Sequence, residues 1–160
     1  DTYSQLGYQA ESGPWRNFYL TGAQDLLKKA VPYTSKLIND GVLSQMDMGT
    51  LLDYCAIQLN GEKAGGKEAV ININFTDTKE KVMLMLKNGV LNHRLGSQDK
   101  KADLTMEIAK MDFVKLFFGR TDLQTLRKTN KVKTTGDTKA IDMIRSACEP
   151  ADPNFKIVLP

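Results

Sequence analysis

The chain has 160 residues, 41% hydrophobic and 26% charged, with 22 Lys and Arg against 19 Asp and Glu for a formal charge of +3. That is one ordinary domain, or a domain with part of a neighbour, apolar enough for a packed core, and it excludes fibrous, coiled-coil and disordered classes. The longest apolar run, Val82-Met83-Leu84-Met85-Leu86, is five residues where a membrane span needs about 20, and so small a charge argues against a nucleic-acid partner unless it is gathered on one face.

Residues 1–10 read as the end of a preceding helix, closed by Ser12-Gly13. Over 15–29, Trp15, Phe18, Tyr19, Ala23, Leu26 and Leu27 recur at helical spacing, Pro14 suits the first turn and Pro32 ends the run. These two helices form a hairpin without a core of its own, and 31–40 reads as a linker. Asp47 caps a helix whose Met48, Leu51, Leu52, Cys55 and Leu59 share a face, with Gly61 placed for a left-handed stop. Residues 69–75 alternate, Ile71, Ile73 and Phe75 against Asn72 and Asn74, as a half-buried strand.

Strands at 81–86 and 90–95 flank Asn88-Gly89, a dipeptide suited to a tight hairpin turn. A fourth strand, 103–108, turns Leu104, Met106 and Ile108 inward. A short helix at 111–118 stops at Gly119, Thr121-Asp122 opens another, 131–134 is a fifth strand and 138–148 the last helix. The apolar tail 155–160 is expected to dock. The order predicts an α+β fold: a five-stranded, mainly antiparallel sheet with helices on one face, preceded by the helical hairpin.

Chemistry is sparse. Gly61 to Lys67 has phosphate-loop spacing, but Glu68 stands where Ser or Thr should hold magnesium, and the segment follows a helix and opens a strand, the inverse of the required context. His93 is the only histidine, whereas a catalytic zinc takes three protein ligands; a Ser or Cys nucleophile would also lack its usual base. No catalytic residue and no metal ligand is assigned. Cys55 and Cys148 are expected as packed thiols rather than a disulfide. The basic stretch Arg127, Lys128, Lys131 and Lys133 has no aromatic platform for bases and reads as a solvated loop. What the chain does offer is a surplus of Met and Phe expected to face one layer: Met83, Met85, Met106, Phe117, Phe118 and Met143. Such residues suit an apolar tunnel for a chain-like ligand, and equally an ordinary core.

Residues 6–23, with Gly13-Pro14-Trp15-Arg16-Asn17-Phe18 at their centre, closely resemble the last helices of the dimerisation domain of the alkyl sulfatases, zinc-dependent hydrolases built on a metallo-β-lactamase core. Leu51-Leu52-Asp53-Tyr54, Leu59-Asn60-Gly61, Asn74-Phe75-Thr76-Asp77-Thr78, Asn88-Gly89-Val90-Leu91-Asn92-His93-Arg94, Ala102-Asp103-Leu104-Thr105, Thr135-Gly136-Asp137 and the segment 155–160 look like the C-terminal domain of the same enzymes, which is similar to sterol carrier protein type two. The resemblance implies a layout: 1–30 as the C-terminal helices of the dimerisation domain, 31–40 as linker, 41–160 as the sterol-carrier-like domain. It also implies a role. This chain would be a non-catalytic module holding the alkyl tail of a long-chain alkyl sulfate such as dodecyl sulfate, while zinc on a separate N-terminal domain hydrolyses the ester, in a homodimeric parent. The family's His-x-His-x-Asp-His zinc motif is absent, so no ligand is carried over and no cofactor is expected here. The alternatives are a structural or oligomerisation domain with a filled tunnel, or a stand-alone lipid carrier. Opening at Asp1 without Met or a targeting segment, the chain is expected to be a piece of a longer protein, periplasmic or secreted, with a cytoplasmic location as the alternative.

Overall fold

The computed structural model describes residues 1–28 and 40–149; most of the expected linker and the whole of the tail 155–160 lie outside them. Two compact units divide the chain, with described residues 1–28 in the first and 40–149 in the second.

The first unit pairs α1 (Thr2–Gln9) with α2 (Gly13–Lys28). Arg16 Nη2 donates to the carbonyl of Ala10 at 2.9 Å and ties the turn between them. The helices cross at Gly7. A Cβ on buried Gly7 would lie 2.6 Å from Leu20 Cδ2, so the crossing closes because there is none. Gly22 and Ala23 are buried as well, whereas Trp15, Phe18, Leu26 and Leu27 stand in solvent. The periodic apolar face of α2 is therefore not a buried face: most of its large residues project outward.

The second unit runs α3 (Asp40–Gln45), α4 (Met48–Ala56), α5 (Gly61–Ala64), β1 (Ala69–Phe75), β2 (Lys81–Lys87), β3 (Val90–Leu95), β4 (Leu104–Ile108), α6 (Lys110–Phe117), α7 (Leu123–Lys128), β5 (Val132–Gly136) and α8 (Lys139–Ala147). The sheet order is β3-β2-β1-β4-β5, antiparallel throughout except for the parallel pair of β1 and β4. Asn88 and Gly89, at φ 53° and 73°, make the tight turn joining β2 to β3, which neither position could do at ordinary negative φ.

Register decides which residues share a face. Ile71 lies opposite Leu84 and Leu104, and Ile73 opposite Val82 and Met106. With Phe75, Leu86 and Ile108, these form the covered face, packed against Leu51, Leu52 and Cys55 of α4, Phe113 and Leu116 of α6, and Ile141, Ile144 and Ala147 of α8. Phe113 meets Phe75 edge to face at 5.7 Å, an arrangement favoured by the ring quadrupoles. Helices thus cover one face of a five-stranded sheet, as the element order predicts.

The other face carries the crossover from β3 to β4. Leaving β3, the chain runs back along β1: Gln98 Nε2 donates to Asn74 Oδ1, Asp99 N–H donates to Asn72 Oδ1 at 3.0 Å, Asn72 Nδ2 donates to Asp99 O at 2.7 Å, and Asp103 N–H donates to Val70 O at 2.8 Å. Asn72 is buried beneath it. The reading of Asn72 and Asn74 as the wet side of a half-buried strand is corrected accordingly, because these amides anchor a covering loop.

Two short helices, α3 and α5, were not expected. Lys110 closes the end of α3 by donating from Nζ to the carbonyls of Ser44 and Met46. Gly61 is not a helix stop: α4 ends at Ala56, and Asn60 Oδ1 caps α5 by accepting from the amides of Glu62 and Lys63 at 3.0 and 3.1 Å. Amides that could have met a phosphate are thereby occupied.

Candidate functional site

The last turn of α8 is stitched to the turn following α4. Asn60 N–H donates to Ala147 O and Glu149 N–H to Gln58 O, both at 2.8 Å, with an antiparallel bridge between Leu59 and Cys148. Beside this seam α6 ends. Phe117 points into the core, Phe118 follows it half-buried, and Gly119 at φ 69° turns the chain so that the amides of Arg120 and Thr121 return to Lys115 O.

Between these segments lies an open cleft of about 220 Å³, lined by Gln58, Phe117, Phe118, Gly119, Arg145, Cys148 and Glu149. Its aromatic wall belongs to a chain of ring contacts: Tyr54 to Phe118 at 5.5 Å, Phe118 to Phe117 at 5.4 Å, Phe117 to Phe113 at 5.8 Å and Phe113 to Phe75. The wall is thus braced through to the sheet.

The polar side is unequally satisfied. Glu149 accepts from Asn60 Nδ2 at 2.7 Å and pairs with Lys63 Nζ, and these two bonds hold its carboxyl below the usual carboxylate range. Arg145, 22% exposed, has Nη1 3.6 Å from Asp142 Oδ1. Its Nε is buried and has no hydrogen-bond partner. Leaving a buried donor unpaired costs about 1–3 kcal/mol, so this atom is conspicuous. Burial pushes the Cys148 thiol up to about 11 although Arg145 opposes the shift, and Cys55 is pushed up to about 12 by burial and by the neighbouring Cys148. Both cysteines are free thiols.

The six residues expected to line one tunnel do not share one space. Phe117 and Phe118 line the cleft. Met143 is half-buried against the core, and Met106 is sealed within it. Met83 and Met85 are corrected to the opposite face, since their partners across β1 are Asn72 and Val70. Arg145, Gln58 and Cys148 went unassigned as site residues. In sequence nothing sets Arg145 apart, and only the end of α6 shows that it borders a cleft.

His93 faces the helix layer opposite Leu84, with Nδ1 3.7 Å from Asp53 Oδ1. Among the described residues no three His, Cys, Asp or Glu side chains converge as a metal site. No donor set among the described residues fits a zinc ion. No described helix is long and apolar enough to cross a membrane.

Family models settle the relationship. The alkyl sulfatase C-terminal family matches residues 36–160, and the alkyl sulfatase dimerisation family matches residues 1–29. The chain belongs to the alkyl sulfatase family. A linear primary-alkylsulfatase from a Pseudomonas species is 38% identical over 162 residues, covering 100% of this chain and 24% of that relative. An (R)-specific secondary-alkylsulfatase, also from Pseudomonas, is 36% identical over 166 residues with the same coverage. The chain therefore spans about a quarter of the length of the curated relatives it matches. The solved structure of a stereoselective inverting sec-alkylsulfatase from Pseudomonas superposes with a TM-score of 0.80 at 34% identity, over 99% of this chain and 25% of that one. A ubiquinone synthesis protein with a sterol-carrier-type fold aligns with a TM-score of 0.51 over 62% of this chain and 90% of its own, at 14% identity, which shows a shared fold alone.

Proposed function

We propose that this chain is the non-catalytic, alkyl-chain-binding module of an alkyl sulfatase, which captures a long-chain alkyl sulfate by its hydrocarbon tail and delivers it to a zinc site on another domain of the parent, where the ester is hydrolysed. The single observation that carries this reading is the cleft at the ends of α6 and α8, where Phe117 and Phe118 present a rigid apolar wall next to a cationic group. The names of the relatives support the substrate class.

Each buried methylene contributes roughly 0.8 kcal/mol, against an association cost of about 4–15 kcal/mol. Binding is weak and graded with chain length. Titration of the purified chain with hexyl, octyl and decyl sulfate below their micelle concentrations tests this, with Kd expected to fall about fourfold per added carbon. Affinity independent of length would sink the proposal. A second reading, a purely structural module, draws on the sealed core beneath the helices, where Met106 and Phe113 are fully buried. It predicts no binding at any length.

A further inference from the structure

We infer that the same cleft selects single-chain amphiphiles with an oxyanion head, taking the head through the Nε and Nη2 edge of Arg145. This rests on the alkyl-binding reading above and adds what that reading does not contain, a head-group preference and the residue that sets it.

A guanidinium offers a carboxylate or sulfate two parallel N–H groups along one edge, a pairing both strong and directional. In Arg145 the Asp142 carboxylate lies on the Nη1 side at 3.6 Å. The opposite edge is the free one. Nε on that edge is buried without a partner, and Nη2 lies 3.9 Å from where a Cβ on Gly119 would stand, so Gly119 borders that edge. Gly119 and Arg145 line the cleft together with Phe117 and Phe118. An aromatic wall and a guanidinium with one unpaired edge, both lining one small cleft, match the two ends of an anionic amphiphile. The remaining carboxylate of the lining, Glu149, is committed to Asn60 and Lys63 and leaves the Arg145 edge uncontested.

The distinguishing probe is a pair of ligands of equal tail, decyl sulfate and decanol, titrated into the full chain and into Arg145→Gln and Arg145→Lys, with sodium sulfate as a control. Wild type is expected to bind decyl sulfate at least about tenfold more tightly than decanol, in line with hydrogen bonds to a charged group. Arg145→Gln should bring the sulfate affinity down to that of the alcohol while the alcohol affinity stays fixed, and Arg145→Lys should restore only part of the difference. In wild type, the Arg145 Nε–H resonance should shift with decyl sulfate and not with decanol, a readout independent of how the variants fold. Equal binding of both ligands by wild type, with length dependence intact, overturns the head-group assignment and leaves tail binding standing. Equal weakening of both ligands in Arg145→Gln overturns it too, because it marks a structural arginine. Absence of binding by either ligand removes the tail-binding reading itself.

Discussion

Asp47 and Asp122 start their helices in the same way. Asp47 accepts the Thr50 amide at 2.9 Å and the Thr50 hydroxyl at 2.6 Å, and Asp122 accepts the Thr125 amide at 2.7 Å and hydroxyl at 2.8 Å. These bonds satisfy amides that the first helical turn leaves unpaired. They also favour the ionised carboxylate, so both carboxyls sit below their ordinary value, Asp47 chiefly through the Thr50 hydroxyl and Asp122 chiefly through the Thr125 amide. The folded state then takes up these protons less readily than the unfolded chain. The caps contribute fully above the unfolded carboxylate pKa, about 4, and their contribution disappears as pH falls through the lower folded value. Asp47→Ala is expected to melt a few degrees below wild type at neutral pH, with the gap narrowing as the pH drops below about 4. Asp47→Asn should melt close to wild type at neutral pH, since Asn is an equally good cap. Thermal melts of the three proteins between neutral pH and pH 2 check this; a gap between wild type and Asp47→Ala that stays constant on acidification contradicts it.

At the scale of elements, the crossover on β1 tests how a parallel pair is held in an otherwise antiparallel sheet. Both hydrogen bonds of the Asn72 amide go to the backbone of Asp99, so Asn72→Ala strands an N–H and a carbonyl under partial burial. A loss of about 1–3 kcal/mol follows, visible as a lower urea midpoint, and the Asp99 amide should exchange with solvent markedly faster than in wild type. Unchanged exchange at Asp99 would show that the loop is held by other means. The same strands show what the sequence could disclose. Alternation in β1 correctly separates Ile71 and Ile73 from Asn72, and Asn88-Gly89 fixes the hairpin, because period and turn chemistry are local. In β2 every residue from Val82 to Leu86 is apolar, so a period of two is silent there, and only the register across β1 assigns Met83 and Met85 to the outer face. The parallel pairing of β1 with β4 depends on contacts more than 30 residues apart. The cleft was half legible: Phe117 and Phe118 stand out at the end of a helix, whereas Arg145 becomes a site residue only where α6 and α8 terminate side by side.

At the scale of the whole molecule, the hairpin of α1 and α2 carries an imbalance that its own packing does not resolve. Its helices cross where Gly7 meets Leu20, while Trp15 is 65% exposed, Phe18 53% and Leu27 72%. The Tyr19 ring meets those of Trp15 and Phe18 edge to face, which makes one aromatic surface of the three. A contiguous exposed apolar surface of this kind marks an interface, and residues 1–29 match the alkyl sulfatase dimerisation family. The chain should therefore self-associate through this face, with Trp and Phe as anchors that bury large area at low entropic cost. Light scattering after size exclusion should give a mass that rises with concentration, and the double variant Trp15→Glu with Phe18→Glu should stay at 17.8 kDa or close to it. Residues 40–149 contain a core of their own, so the double variant is expected to retain the far-ultraviolet spectrum of the sheet domain and its response to decyl sulfate. A wild-type chain that remains monomeric at every attainable concentration rules out this face as sufficient for association.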